Sequence, residues 1–129
     1  MKGGLWRREG DLIYLCGTLG AEFDARQRRA AAVSAAEAYR LQMEGLEEVE
    51  RLMDDLESQA RSSLKEGETL SPRRSPGYGE MALEVSRDIL DKLDATRRLG
   101  VSLTDALLLV PSKSVTAICR ICKMPRKMV

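Results

Sequence analysis

Seven consecutive residues, Arg73-Arg74-Ser75-Pro76-Gly77-Tyr78-Gly79, gather side chains suited to holding a small ligand. Two guanidinium groups offer planar arrays of donors to a carboxylate or phosphate. Pro76 restricts the backbone, whereas Gly77 and Gly79 remove side-chain obstruction and permit uncommon dihedral angles. Tyr78 sets an aromatic face and a hydroxyl between them. Such a loop suits a ligand with a planar ring at one end and an anion at the other. The same residues also admit a structural role, a rigid turn whose arginines pair with an acidic helix and whose tyrosine packs as a cap. The chain contains neither the G-x-G-x-x-G nor the P-loop pattern, which argues against the usual dinucleotide and nucleoside-triphosphate loops.

Other constellations are thinner. Cys119 and Cys122 have the C-x-x-C spacing of half a soft-metal site or a redox pair, but the chain has no histidine and only Cys16 besides. Two copies meeting at a dimer axis would supply four thiols; otherwise Cys119 reads as a buried strand residue. Glu44, Glu47, Glu48, Glu50, Asp54, Asp55 and Glu57 crowd one stretch, which reads as the solvated face of a helix. Without histidine, the usual base of a serine or cysteine hydrolase triad is absent.

These residues need elements to place them. Leu46, Val49, Leu52, Met53, Leu56 and Ala60 recur at three- and four-residue intervals, so they form the apolar stripe of a helix. The alanines from Ala30 to Ala38 extend the helical region back to a start between Ala21 and Gln27. Gly45 within it marks either a break or a close contact. A second, shorter helix is expected over Ala82–Leu93, with Leu83, Ile89, Leu90 and Leu93 turned to the core. Between the helices, Ser62–Tyr78 reads as a structured loop, because Pro72 and Pro76 force extended backbone before them. Leu12–Cys16 reads as a strand closed by Gly17 and Gly20. Ser102–Asp105 resembles a turn or helix start. Ala106–Val110 and Val115–Ile121 read as a hairpin turning at Pro111–Ser114, joined by the strand near Ile13.

The expected fold is therefore a single α+β domain over residues 1–129. In it a small antiparallel sheet packs against a long helical segment and a shorter helix. Residues 122–129, with Lys123, Arg126 and Lys127, form a basic tail expected to be flexible. With 21 basic and 20 acidic residues and 4% aromatics, the chain has neither the positive excess nor the stacking platforms of a nucleic-acid binder. No apolar run approaches membrane-spanning length. Charges at Lys2, Arg7, Arg8, Glu9 and Asp11 argue against a secretory leader, so a cytoplasmic, reduced location is expected.

Two blocks about thirty residues apart carry a family resemblance: Arg73-Arg74-Ser75-Pro76-Gly77-Tyr78-Gly79 and Pro111-Ser112-Lys113-Ser114-Val115. They resemble the activation domain of cobalamin-dependent methionine synthase, above all its standalone members. The likeness covers roughly residues 41–121, and more faintly Gly17–Gly20. After Tyr78 the chain departs from the pattern, because Glu80-Met81-Ala82-Leu83 lacks the aromatic and proline common in relatives. The resemblance implies an S-adenosylmethionine-binding accessory subunit that supports reductive methylation of a corrinoid. The cobalamin is carried by a partner protein, and a reductant protein supplies electrons. It implies that Arg73 holds the ligand carboxylate, Glu50 receives its ammonium, and Gly77, Tyr78 and Gly79 meet the adenosine. Homo-dimer formation is compatible with so small a sheet. The alternatives are a noncatalytic oligomeric interaction protein assembled through the Leu46–Leu56 stripe, and a small metal protein built on Cys119 and Cys122.

Overall fold

The computed structural model describes residues 2–124. Gly10 turns the chain with a positive φ of 63°, so that β1 (Gly3–Glu9) and β2 (Leu12–Thr18) form a hairpin in the register Glu9↔Leu12 to Gly3↔Thr18. The long strand β6 (Ser114–Lys123) pairs antiparallel with β2, and the short β3 (Glu68–Leu70) pairs with the far end of β6. The sheet order is β1-β2-β6-β3.

Strand alternation divides the core into two layers. Ile13 and Leu15 of β2, with Ala117, Cys119 and Ile121 of β6, meet Met53, Leu56 and Ala60 of the helix α2 (Ala35–Ser62). Cys16 points the opposite way, toward Ile89, Leu90 and Leu93 of α3 (Val85–Leu93) and Ala95 and Leu99 of α4 (Ala95–Leu99). The long helix and the shorter ones thus cover opposite faces of the sheet, which completes the expected α+β architecture. Gly4 and Gly17 face each other across the β1–β2 ladder, beneath α2. A Cβ on Gly4 would stand 2.6 Å from Leu56 Cδ1, and one on Gly17 would stand 2.9 Å from Met53 Sδ. The two glycines form a notch that seats the helix.

The helical region starts at Ala21 but is not continuous. The first part, α1 (Ala21–Val33), ends at Ser34, whose extended backbone turns the chain into α2. Ser34 Oγ accepts the Glu37 N–H at 3.0 Å, an N-cap that satisfies a donor at the start of α2. The helix α1 folds back on α2, and Phe23 packs against Gly45, where a Cβ would lie 2.3 Å from Phe23 Cζ. Gly45 therefore serves close contact and not a break.

Several expectations are corrected. The hairpin of Ala106–Val110 with Val115–Ile121 does not form. Instead β5 (Leu109–Val110) pairs with β4 (Ser102–Leu103) in a separate two-stranded ladder, and Thr104–Leu108 is a turn with Leu107 at a φ of +64°. The edge of β6 was already taken by β2 and β3. Leu83 precedes α3 and is exposed, as is Leu46 of the α2 stripe. Cys122 and Lys123, assigned to the tail, belong to β6, while Arg126 and Lys127 lie outside the described residues. Among the described residues no helix is long and apolar enough to cross a membrane.

Candidate functional site

After β3 the chain continues along the edge of β6, and this pairing fixes the loop. Ser71 N–H donates to Arg120 O at 2.9 Å, and Ser71 Oγ accepts the Arg120 N–H at 2.8 Å. Arg74 exchanges both backbone hydrogen bonds with Ile118, at 2.9 and 2.8 Å. Beyond it the loop curls: Gly77 N–H donates to Met81 O at 2.8 Å, with Gly77 at a φ of 91° and Gly79 at 62°. These dihedral angles favour glycine. At Gly77 a Cβ would also press on Leu83 Cδ2 at 2.7 Å.

This curl forms one wall of a cleft of about 990 Å³, at the upper end of the size range of ligand sites. The opposing wall comes from α2 through Leu46, Val49, Glu50 and Glu57, and the base from Ser114, Val115 and Thr116 of β6. Leu107, Leu108 and Leu109 close one side. Tyr78 is 75% exposed at the rim, so it is not a packed cap, and Leu46, Leu83 and Leu108 are exposed beside it.

Polar contacts draw the Gly17–Gly20 stretch and the Pro111–Val115 block together beside the cleft. Leu19 N–H donates to Lys113 O at 2.9 Å, and the Thr18 and Ser114 hydroxyls are 2.7 Å apart in the interior. Asp24 of α1 accepts from the Ser112 N–H at 3.0 Å and the Ser112 hydroxyl at 2.6 Å. Ser112 and Ser114 line the same cleft as the arginine loop. The two blocks that carry the family resemblance therefore line one cleft, while Gly17–Gly20 does not line it but is joined to the second block through Thr18 and Leu19.

Arg73 and Glu50 are both there, and they bind each other. Arg73 Nη2 donates to Glu50 Oε2 at 2.7 Å, while Nη1 donates to Asp54 Oδ1 at 2.7 Å and to Glu57 Oε1 at 3.2 Å. The three acids recur at four- and three-residue spacing along one face of α2. Burial disfavours the charged guanidinium, but its bonds to Asp54, Glu50 and Glu57 outweigh that and raise its pKa above the ordinary value. Glu57 also accepts from Arg61 Nη2 at 3.1 Å, so three carboxylates face two guanidiniums and this end of the cleft stays negative. Asp54 and Glu57 were the partners the sequence reading missed; their spacing from Glu50 was the available signal. The structural alternative for the arginines, pairing with the acidic helix, holds for Arg73. Arg74 is exposed, lines the same cleft, and has no ion-pair partner among the described residues.

The thiols do not converge. Cys119 is buried on the α2 face of β6, and burial foremost pushes its thiol up to about 11. Cys122, three residues on, is exposed and points to the other face. Cys16, also buried, is pushed up to about 12 by burial. Among the described residues no group of three or more side chains is placed to hold a metal ion. No protein-family model matches the chain, and no curated protein matches it.

Proposed function

We propose that the cleft binds S-adenosylmethionine and that the chain serves as an accessory subunit for reductive methylation of a corrinoid held by a partner protein. The observation that carries this reading is that the arginine loop of Arg73–Gly79 and the Pro111–Val115 block, through Ser112, Ser114 and Val115, line one cleft with an exposed tyrosine at its rim. The residues present fit the ligand. Side-chain-free backbone at Gly79 gives close access, Tyr78 offers a face for the adenine, and the carboxylates of α2 suit a sulfonium and an ammonium; Gly77 shapes the curl and does not line the cleft. The bound cofactor supplies a methyl group; the electrons come from a reductant protein and the cobalt from the partner. The chain's own part is to bind and orient, which needs no nucleophile or proton shuttle. The exposed Leu46, Leu83 and Leu108 supply an apolar rim around the mouth, where a corrinoid-carrying protein would dock.

That rim also favours a second reading, a noncatalytic interaction module. Its surface is not the Leu46–Leu56 stripe, however, because Val49, Met53 and Leu56 are buried in this chain's own core. Calorimetry separates the two. With S-adenosylmethionine, the wild type should bind one equivalent, and Tyr78→Ala should bind about 5- to 100-fold more weakly, the worth of one base–aromatic stack. Absence of binding by the wild type, alone and with a cobalamin-loaded corrinoid protein, leaves the interaction module.

A further inference from the structure

We infer that Arg74, and not its neighbour Arg73, is the residue that receives the anionic end of the ligand in this cleft, while Arg73 is a tether that fixes the loop to α2. This rests on the ligand reading above and divides its polar end between two arginines. Arg73 gives its donors to Glu50, Asp54 and Glu57. A ligand carboxylate approaching it meets the like charges of the exposed Glu50 and Asp54 before it meets the guanidinium, whereas Glu57 is also paired with Arg61. An ammonium meets attraction there, since Glu50 and Asp54 are 57% and 66% exposed.

Arg74 is in the reverse position. Its backbone is pinned to Ile118 by two hydrogen bonds, so its Cα is as well placed as a strand residue. Its side chain is exposed, lines the cleft and pairs with no carboxylate among the described residues. The guanidinium lies over Gly79, where a Cβ would stand 3.6 Å from Arg74 Nη2. The free donor array is thereby held beside the side-chain-free backbone of the curl. An amino-acid end presented to this site is read by charge, with its carboxylate on Arg74 and its ammonium on the acids of α2.

Calorimetry with S-adenosylmethionine and its decarboxylated analogue tests the division. The wild type should prefer the carboxylated compound by about ten- to a hundredfold, the worth of hydrogen bonds to a charged group. Arg74→Ala should bind both compounds alike with an unchanged melting temperature, and Arg74→Lys should recover part of the preference. Arg73→Lys should melt at a lower temperature yet, below it, keep the preference. If Arg74→Ala keeps the preference, or the wild type shows none while binding both, the assignment to Arg74 is wrong and the cleft reading stands. If the wild type binds neither compound, both fall together.

Discussion

Arg73 and Arg74 are adjacent and chemically identical, yet one is neutralised by three carboxylates and the other by none. The difference arises from α2, whose Glu50, Asp54 and Glu57 present a row of acids to whichever residue of the loop passes beneath. Replacing Arg73 by methionine keeps the stem but leaves Glu50 and Asp54 without the cation between them, while Glu57 keeps Arg61. The variant should lose about 2 kcal/mol in urea unfolding, the scale of hydrogen bonds to a charged group. Part of that loss is like-charge repulsion, so 1 M salt should shrink it. A deficit unchanged by salt assigns the loss to packing of the stem instead. The residues of the loop were legible because glycine, proline and arginine at fixed spacing have few other uses. Arg73's partners were not, because an acidic helix face has many structural uses and only the fold brings one of them under the loop. Tyr78 was likewise indeterminate until the curl at Gly77 set its exposure, and Leu83, expected in the core, is exposed because it precedes α3 and lies against that curl.

At the scale of elements, the joint between α1 and α2 depends on a residue with no side chain. Phe23 is 4% exposed and lies where a Cβ on Gly45 would be, 2.3 Å from Phe23 Cζ. Gly45→Ala gains about 1 kcal/mol of helix propensity, but over-packing of this kind costs about 1–3 kcal/mol, and a buried ring has little room to move. The net change should be destabilising in thermal or urea unfolding. With Phe23→Leu already present, the same substitution should cost clearly less; additive losses would mean that the two residues do not compete for this space. The long helix was readable because its stripe from Leu46 to Ala60 runs for about four turns, and β2 because its apolar run is bounded by glycines. The first strand was hidden. Its Arg7, Arg8 and Glu9 look like a charged terminus, and they become strand only because the Gly10 turn lays them against β2. Pro111 misled in the other direction. It looks like the tip of a hairpin, but β6 finds its partners in β2 and β3, and Leu109–Val110 turns back to β4.

At the scale of the whole molecule, the sheet's two edge strands, β1 and β3, come from distant parts of the chain and are fastened by one ion pair. Arg8 Nη1 and Nη2 donate to the two oxygens of Glu68 at 2.9 and 2.8 Å, and the Lys65 N–H donates to the same carboxylate at 2.8 Å. The Arg8 hydrogen bonds foremost, with that of Lys65, hold the Glu68 carboxyl down at about 2, against an ordinary value of 4.5. In that interval the unfolded chain binds a proton that the folded chain does not, so acid favours unfolding. The contribution of Glu68 is fully present above pH 4.5 and is lost as the pH falls toward 2. Many carboxylates share in acid unfolding, so the slope of the wild type alone decides nothing. The informative quantity is the difference between wild type and Glu68→Gln, which keeps a hydrogen-bonding side chain but has no proton to take up. Urea unfolding of both proteins between pH 7 and pH 3 should show the wild type's advantage constant at first and narrowing below pH 4.5. If the two stability curves run parallel across that range, Glu68 is not held in its charged form by Arg8, and the edges of the sheet are joined by pairing through β2 and β6 alone.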